Sequence, residues 1–274
     1  MRTEKIMVRC AIMLAAVGIC STAFAKIGVV EINFGTYDVS NPPAGTQLRL
    51  FEDKGPLNVW NNIGTMAGTE TSAVDGGNLV YRTGSSTESG FSITWDSDGI
   101  DTHDGYGVGD IDDGHDELFY TYLVGSFGNN SITLSSSGIS NLFTGDTDSL
   151  YDLYLYIDGD DTFGGKFTAA DAGSGTSYYG EDPVGTDFGA ANDGTDPLSH
   201  YYQVTSTTPG SPTSPGNYVL FQGLSSDFNL TISSSDALTA LNGIEIHVTP
   251  EPATFGLFAL MAVAGLGIRR RRRA

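Results

Sequence analysis

Residues 96–117 gather nine carboxylates: Asp96, Asp98, Asp101, Asp104, Asp110, Asp112, Asp113, Asp116 and Glu117, with His103 and His115 among them. Carboxylates at that density repel one another unless water, backbone donors or a cation screens them. Calcium suits hard oxygens held in irregular, glycine-rich loops. Asp96, Asp98 and Asp101 are the expected calcium ligands here, and Asp158, Asp160 and Asp161 beside Gly164-Gly165 form a second candidate. Neither follows an EF-hand. Counted from Asp96, Gly107 stands where the closing glutamate belongs, and counted from Asp158, Phe163 takes the place of the turn glycine. The alternative is a pair of solvated acidic turns that hold no ion. Zinc fits poorly, because its structural sites draw on cysteine and closely spaced histidine.

Hydrolytic chemistry has no clear signature. The body lacks a Gly-x-Ser-x-Gly elbow and a His-Glu-x-x-His helix. Glycoside hydrolysis needs only two carboxylates at a set separation, so counting acids does not exclude it, but acids in glycine-rich turns are solvated and lack the raised pKa of a general acid. Aromatic side chains are the other route to a ligand. Trp60, Trp95, Tyr178-Tyr179 and Tyr201-Tyr202 have rings that can cover a sugar face. Trp95 ends an alternating strand and reads as core. Tyr178 and Tyr179, in a Gly/Ser stretch read as a loop, are the preferred ligand-binding pair.

The elements that must position these residues are β-strands. Short β-prone runs separated by Gly/Asp/Asn/Ser turns predict strands near Val29–Phe34, Gln47–Phe51, Asn78–Arg82, Phe91–Trp95, Leu118–Val124 and Ser131–Ser135. Further strands are predicted near Tyr151–Ile157, Tyr201–Thr205, Tyr218–Phe221, Phe228–Ile232 and Gly243–Val248. Tyr151, Leu153, Leu155 and Ile157 share one face, with Asp152, Tyr154 and Tyr156 opposite; Ile244, Ile246 and Val248 alternate with Glu245 and His247. This pattern predicts an all-β fold, a single jelly-roll-like β-sandwich with long Gly/Asp-rich loops. One helix is expected at Ser235–Leu241, opened by Ser235 or Asp236 and closed by Gly243. Residues 158–217 read as excursions from the sandwich, and Thr205–Gly216 as an exposed loop within them.

Both cysteines, Cys10 and Cys20, precede residue 26, so the body that follows has no thiol chemistry and no disulfide. Residues 26–248 hold five basic and 31 acidic residues, a net charge of −26 within a whole-chain value of −20. That field excludes nucleic acid and anionic lipid surfaces as partners and leaves divalent cations or neutral hydrogen-bonding polymers.

The two ends of the chain carry targeting patterns. Arg2, Lys5 and Arg9, an apolar run from Ala11 to Ile19, and Ala23-Phe24-Ala25 form a secretory signal over residues 1–25, with signal-peptidase cleavage at the A-x-A site of Ala23 and Ala25. Acylation at Cys20 is the lesser alternative. At the other end stand Pro250-Glu251-Pro252, an uncharged run through Ile268, and Arg269, Arg270, Arg271, Arg272 and Arg273. Residues 255–268 reach about 21 Å as a helix, short for a bilayer core of about 30 Å. Arginine stems that snorkel to the interface make up part of the difference. The order of apolar run and terminal arginines is that of a stop-transfer segment, with the arginines on the cytoplasmic side. A buried core helix or a nucleic-acid-binding basic run are the alternatives.

Pro250-Glu251-Pro252, Ala253-Thr254, the glycine-rich apolar run and the arginine cluster of residues 249–274 resemble the PEP-CTERM sorting signal of Gram-negative bacteria. The resemblance implies recognition by a membrane-embedded exosortase, cleavage near Pro-Glu-Pro, delivery to the envelope or the extracellular matrix, and a host that makes exopolysaccharide. It leaves open whether the C-terminal helix anchors the body transiently or permanently. More faintly, Glu31-Ile32-Asn33-Phe34-Gly35, Trp60-Asn61-Asn62-Ile63, Tyr151–Ile157 and Leu241–Ile246 are similar to jelly-roll domains of the malectin and galactose-binding-like type. Together these readings give an exported, non-enzymatic surface or matrix protein associated with exopolysaccharide. A carbohydrate-binding module, with or without calcium, and a secreted glycoside hydrolase stand as alternatives.

Overall fold

The computed structural model describes residues 28–34, 61–81, 83–102, 121–125, 131–143, 150–157, 165–181, 202–209, 214–234 and 239–249. Among them the chain is all-β, in two main sheets packed face to face. Fifteen strands run in the order β1 (Val29–Asn33), β2 (Asn61–Asn62), β3 (Ala67–Thr71), β4 (Ser92–Asp96), β5 (Gly99–Thr102), β6 (Thr121–Gly125), β7 (Ser131–Ser137) and β8 (Leu150–Tyr156). They continue as β9 (Lys166–Asp171), β10 (Thr176–Glu181), β11 (Ser214–Pro215), β12 (Tyr218–Leu224), β13 (Asn229–Ser234), β14 (Thr239–Leu241) and β15 (Gly243–Thr249).

One sheet has the order β12-β8-β15-β1-β2, a second the order β11-β10-β9-β13-β7-β4-β3, and a small third sheet the order β14-β6-β5. Alternation explains how the large sheets meet. In β7, Ile132 and Leu134 point inward while Thr133 points to solvent; in β13, Leu230 and Ile232 are buried and Asn229 and Thr231 exposed. These inward residues, with Ile93, Trp95, Phe167 and Ala169, meet Val30, Ile32, Leu153, Leu155, Val219, Phe221, Ile244 and Ile246 of the five-stranded sheet in one continuous core. Trp95 is part of that core as expected, and its indole N–H donates to the Thr65 carbonyl at 2.9 Å, which satisfies the one polar group the ring buries.

The first and last strands are neighbours. β1 pairs antiparallel with β15, Val30 opposite Ile246, and the Val248 N–H donates to the Gly28 carbonyl at 3.1 Å. The chain therefore enters and leaves the domain at the same end of the five-stranded sheet.

Several expectations need correction. The stretch 158–217 is no mere excursion: β9 and β10 form a hairpin in the seven-stranded sheet, and Ser214-Pro215 pairs in parallel with Gly180-Glu181. Half of the hairpin's strand residues are Thr, Ser, Ala or Gly, and Phe167 and Ala169 are its buried apolar side chains on β9, so its hydrophobic pattern is faint. Phe167 lies across Gly180, where an added Cβ would come within 2.2 Å of the ring. The expected helix at Ser235–Leu241 is overturned at its described end, where Thr239–Leu241 is a buried strand paired with Leu123–Gly125. The capping signal there is real, but pairing with β6 satisfies the backbone and buries Ala240 and Leu241. Residues 99–102, inside the acidic run, form β5 against β6. Gln47–Phe51 and Trp60 lie outside the described residues.

Candidate ligand-binding faces and the sorting segment

The seven-stranded sheet turns a face of hydroxyl groups to solvent. Cross-strand register sets the rows. Thr69, Thr94, Ser135 and Asn229 stand opposite one another across β3, β4, β7 and β13. The next row holds Ala67, Asp96, Thr133, Thr231, Ala170 and Ser177, and the row after it Ser131, Ser233, Thr168 and Tyr179. Strand geometry spaces such neighbours about 4.8 Å across the sheet and about 6.7 Å along each strand. Thr69 and Thr94 hydrogen-bond through their hydroxyls at 2.9 Å. The charged residues at outward positions of these strands are Asp96 and the directly opposed Lys166 and Glu181. In a chain of net charge −20, this face is close to neutral.

The structure separates the tyrosine pair chosen from sequence. Both lie on β10, a strand where a loop was expected. Tyr178 turns inward, opposite Ala169, and its ring meets Phe221 edge-on with centroids 5.1 Å apart. Burial raises the pKa of its phenol. Tyr179 takes the outward side, opposite Thr168, at the margin of the hydroxyl rows. Adjacent strand residues point to opposite faces, so the pair cannot form one platform; Tyr179 alone remains a surface candidate.

The other outer face, on the five-stranded sheet, is polar but buried. Glu31 stands directly opposite Glu245 across β1 and β15, and Glu245 stands opposite Tyr154 across β15 and β8. Glu31 is 0 % and Glu245 1 % exposed, and Tyr154, Tyr156, Tyr218 and Leu220 beside them are buried as well. His247 Nε2 and Glu245 Oε2 share a hydrogen bond of 2.6 Å, and the His247 ring lies 5.1 Å from that of Tyr154. Burial first, then Asp152, Glu245 and Tyr218, pushes the Tyr154 phenol well above its ordinary range, so it stays protonated and able to donate. Sequence alternation had set Tyr154, Tyr156, Glu245 and His247 apart from the core. Their size is the signal that they are covered: Tyr, Glu and His here, Thr and Ser on the open face.

The acidic candidates are placed in part. Asp96 ends β4 on the outward face, Asp98 sits in the turn to β5 with its N–H donating to the Val124 carbonyl at 2.9 Å, and Asp101 is exposed on β5. Among the described residues no group of three or more His, Cys, Asp or Glu is arranged to hold a metal ion. Asp158, Asp160, Asp161, His103 and His115 lie outside the described residues. One other aspartate is tied to backbone donors. Asp171 accepts from the N–H groups of Ser174 at 2.7 Å, Asn229 at 3.0 Å and Gly173 at 3.3 Å. Burial opposes ionisation there, but these donors outweigh it and hold the carboxyl below its usual range.

Ala23, Ala25, Pro250, Glu251, Pro252 and Arg269–Arg273 lie outside the described residues. Residues 248–273 match the PEP-CTERM protein-sorting motif. The chain thus carries a PEP-CTERM sorting motif at residues 248–273. The motif marks it as an exported protein sorted by an exosortase at a membrane. Its first two residues, Val248 and Thr249, are still paired in β15 with Tyr151 and Leu150. Three residues separate that strand from Ala253, a reach of at most about 14 Å. Among the described residues no helix is long and apolar enough to cross a membrane. No curated protein and no solved structure matches the chain, and the likeness to malectin-type domains gains no support from these comparisons.

Proposed function

We propose that this PEP-CTERM protein is a non-enzymatic β-sandwich, delivered to the cell surface or extracellular matrix of a Gram-negative cell, where it associates with exopolysaccharide. The observation that carries the reading is the open hydroxyl face on a domain whose central strand runs directly into the sorting motif. Sugars are recognised by hydrogen bonds to hydroxyls together with an aromatic surface, and both are present there beside a small net charge, from Asp96, Glu181 and Lys166. The apolar run and arginines hold the body at the membrane until processing. Alanine replacement of Pro250, Glu251 and Pro252 tests this: the protein should stay with the membrane fraction as a longer precursor, absent from the matrix. Undiminished recovery from the matrix would contradict the reading. A carbohydrate-binding module that needs calcium is the variant in which retention on exopolysaccharide is lost with chelator.

A second reading, a secreted glycoside hydrolase, is favoured by the opposed Glu31 and Glu245 with His247 alongside. Paired carboxylates are the machinery of that reaction, and the burial of both keeps the reading second. Glycan turnover that disappears in Glu245→Gln while the fold persists would promote it.

A further inference from the structure

We propose that the outward face of the seven-stranded sheet is a docking surface for an extended, uncharged polysaccharide, and that it binds without calcium. This rests on the exopolysaccharide reading above and names the polymer class and the residues.

Charge selects the occupant. The body carries −26, so an anionic polysaccharide or nucleic acid meets repulsion before it meets any contact. A cationic polymer would be drawn to the acidic runs of the sequence rather than to this face, where Asp96 and the opposed Lys166 and Glu181 are the outward charges. A second copy of the chain would set Thr and Ser against Thr and Ser, with little apolar area to drive association. A neutral polymer of sugar rings has what the face can use. Each hydroxyl donates one hydrogen bond and accepts others, and the rows set them on neighbouring strands: Thr69, Thr94 and Ser135 in one, Thr133 and Thr231 with Ser177 two strands on in the next, and Ser131, Ser233 and Thr168 in the third. The threonine methyls and Tyr179 give apolar contact for the flat faces of sugar rings. A regular array favours an extended chain that meets several rows at once, each contact weak and the sum useful. The two carboxylates on this face, Asp96 on β4 and Glu181 on β10, stand on strands at opposite sides of the sheet, and Glu181 is opposite Lys166, so the arrangement does not call for a bridging cation.

Affinity electrophoresis of the full chain in detergent micelles provides the test, through gels containing hydroxyethyl cellulose, dextran, alginate or the host's own exopolysaccharide. Retardation is expected in at least one of the two neutral polymers and in the host polymer, unchanged by chelator, with none in alginate. Thr133→Lys/Thr231→Lys should lower the retardation at least tenfold, with an unchanged thermal midpoint, while Thr133→Ser/Thr231→Ser retains most of it. Retardation by alginate, by neither neutral polymer, or only with calcium overturns the inference, as does binding that survives the lysine pair. No retardation in the host polymer would instead overturn the exopolysaccharide reading itself, so the two failures are distinguishable.

Discussion

The two outer faces of the sandwich start from the same alternation and end differently. On β7 and β13 the residues facing away from the core are Ser, Thr and Asn, and they meet solvent. On β8 and β15 they include Tyr154, Tyr156 and Glu245, which are buried, and His247, which is partly buried at 15 % exposure. Period-2 patterning sorts residues into two faces but does not say whether the second face is wet. Side-chain size and charge do. A small hydroxyl costs little in water, whereas burying a carboxylate requires partners such as His247 beside Glu245.

Substitutions should separate the faces by magnitude. Tyr154→Ala should lower unfolding free energy by about 3–5 kcal/mol, the range for deleting a buried aromatic ring, as read by urea denaturation. Thr231→Ala on the open face should change it by no more than about 0.5 kcal/mol. Equal effects at the two positions would erase the distinction. Asp171→Ala, which leaves three backbone N–H groups without their acceptor, should cost about 3 kcal/mol. His247→Ala, which takes a hydrogen-bonding partner from a buried carboxylate, should cost about 2 kcal/mol.

The pH dependence sharpens the comparison. The Asp171 carboxyl titrates below its ordinary value of 3.8 in the folded chain. Its stabilisation is therefore present above that value and lost as pH falls through the lower, folded one. Asp171→Asn should flatten the acid limb of the stability curve. Burial first, then Glu88, pushes the Tyr81 phenol up to about 12 from 10.0. That contribution is complete below 10.0 and disappears as pH rises through about 12. Tyr81→Phe should make stability less steep across that interval.

Much of the sandwich was legible in the sequence because its core strands pair bulky apolar residues with clear alternation, as in Leu150–Tyr156 and Gly243–Thr249. The β9–β10 hairpin was not, because Ala169 and the Phe167–Gly180 contact do the packing that Leu or Ile does elsewhere. β14 was hidden by a genuine helix-start signal that pairing with β6 overrides. The sorting motif was readable from the sequence, since its information lies in the order of residues rather than in long-range contacts. The hydroxyl face lies at the other extreme. Each strand shows its Ser and Thr, but their assembly into rows depends on register across strands as far apart as residues 67 and 231, which no local pattern encodes. The tyrosine pair failed for a simpler reason: two adjacent residues on a strand point apart.

Side-chain footprinting by hydroxyl radicals, with and without the host exopolysaccharide, tests the central claim most directly. The account predicts that Tyr179 and the peptides of β7 and β13 oxidise more slowly when the polymer is present. Leu150, exposed at the sorting-segment end of the five-stranded sheet, should keep its rate. Protection at Leu150 and none at Tyr179 would contradict it.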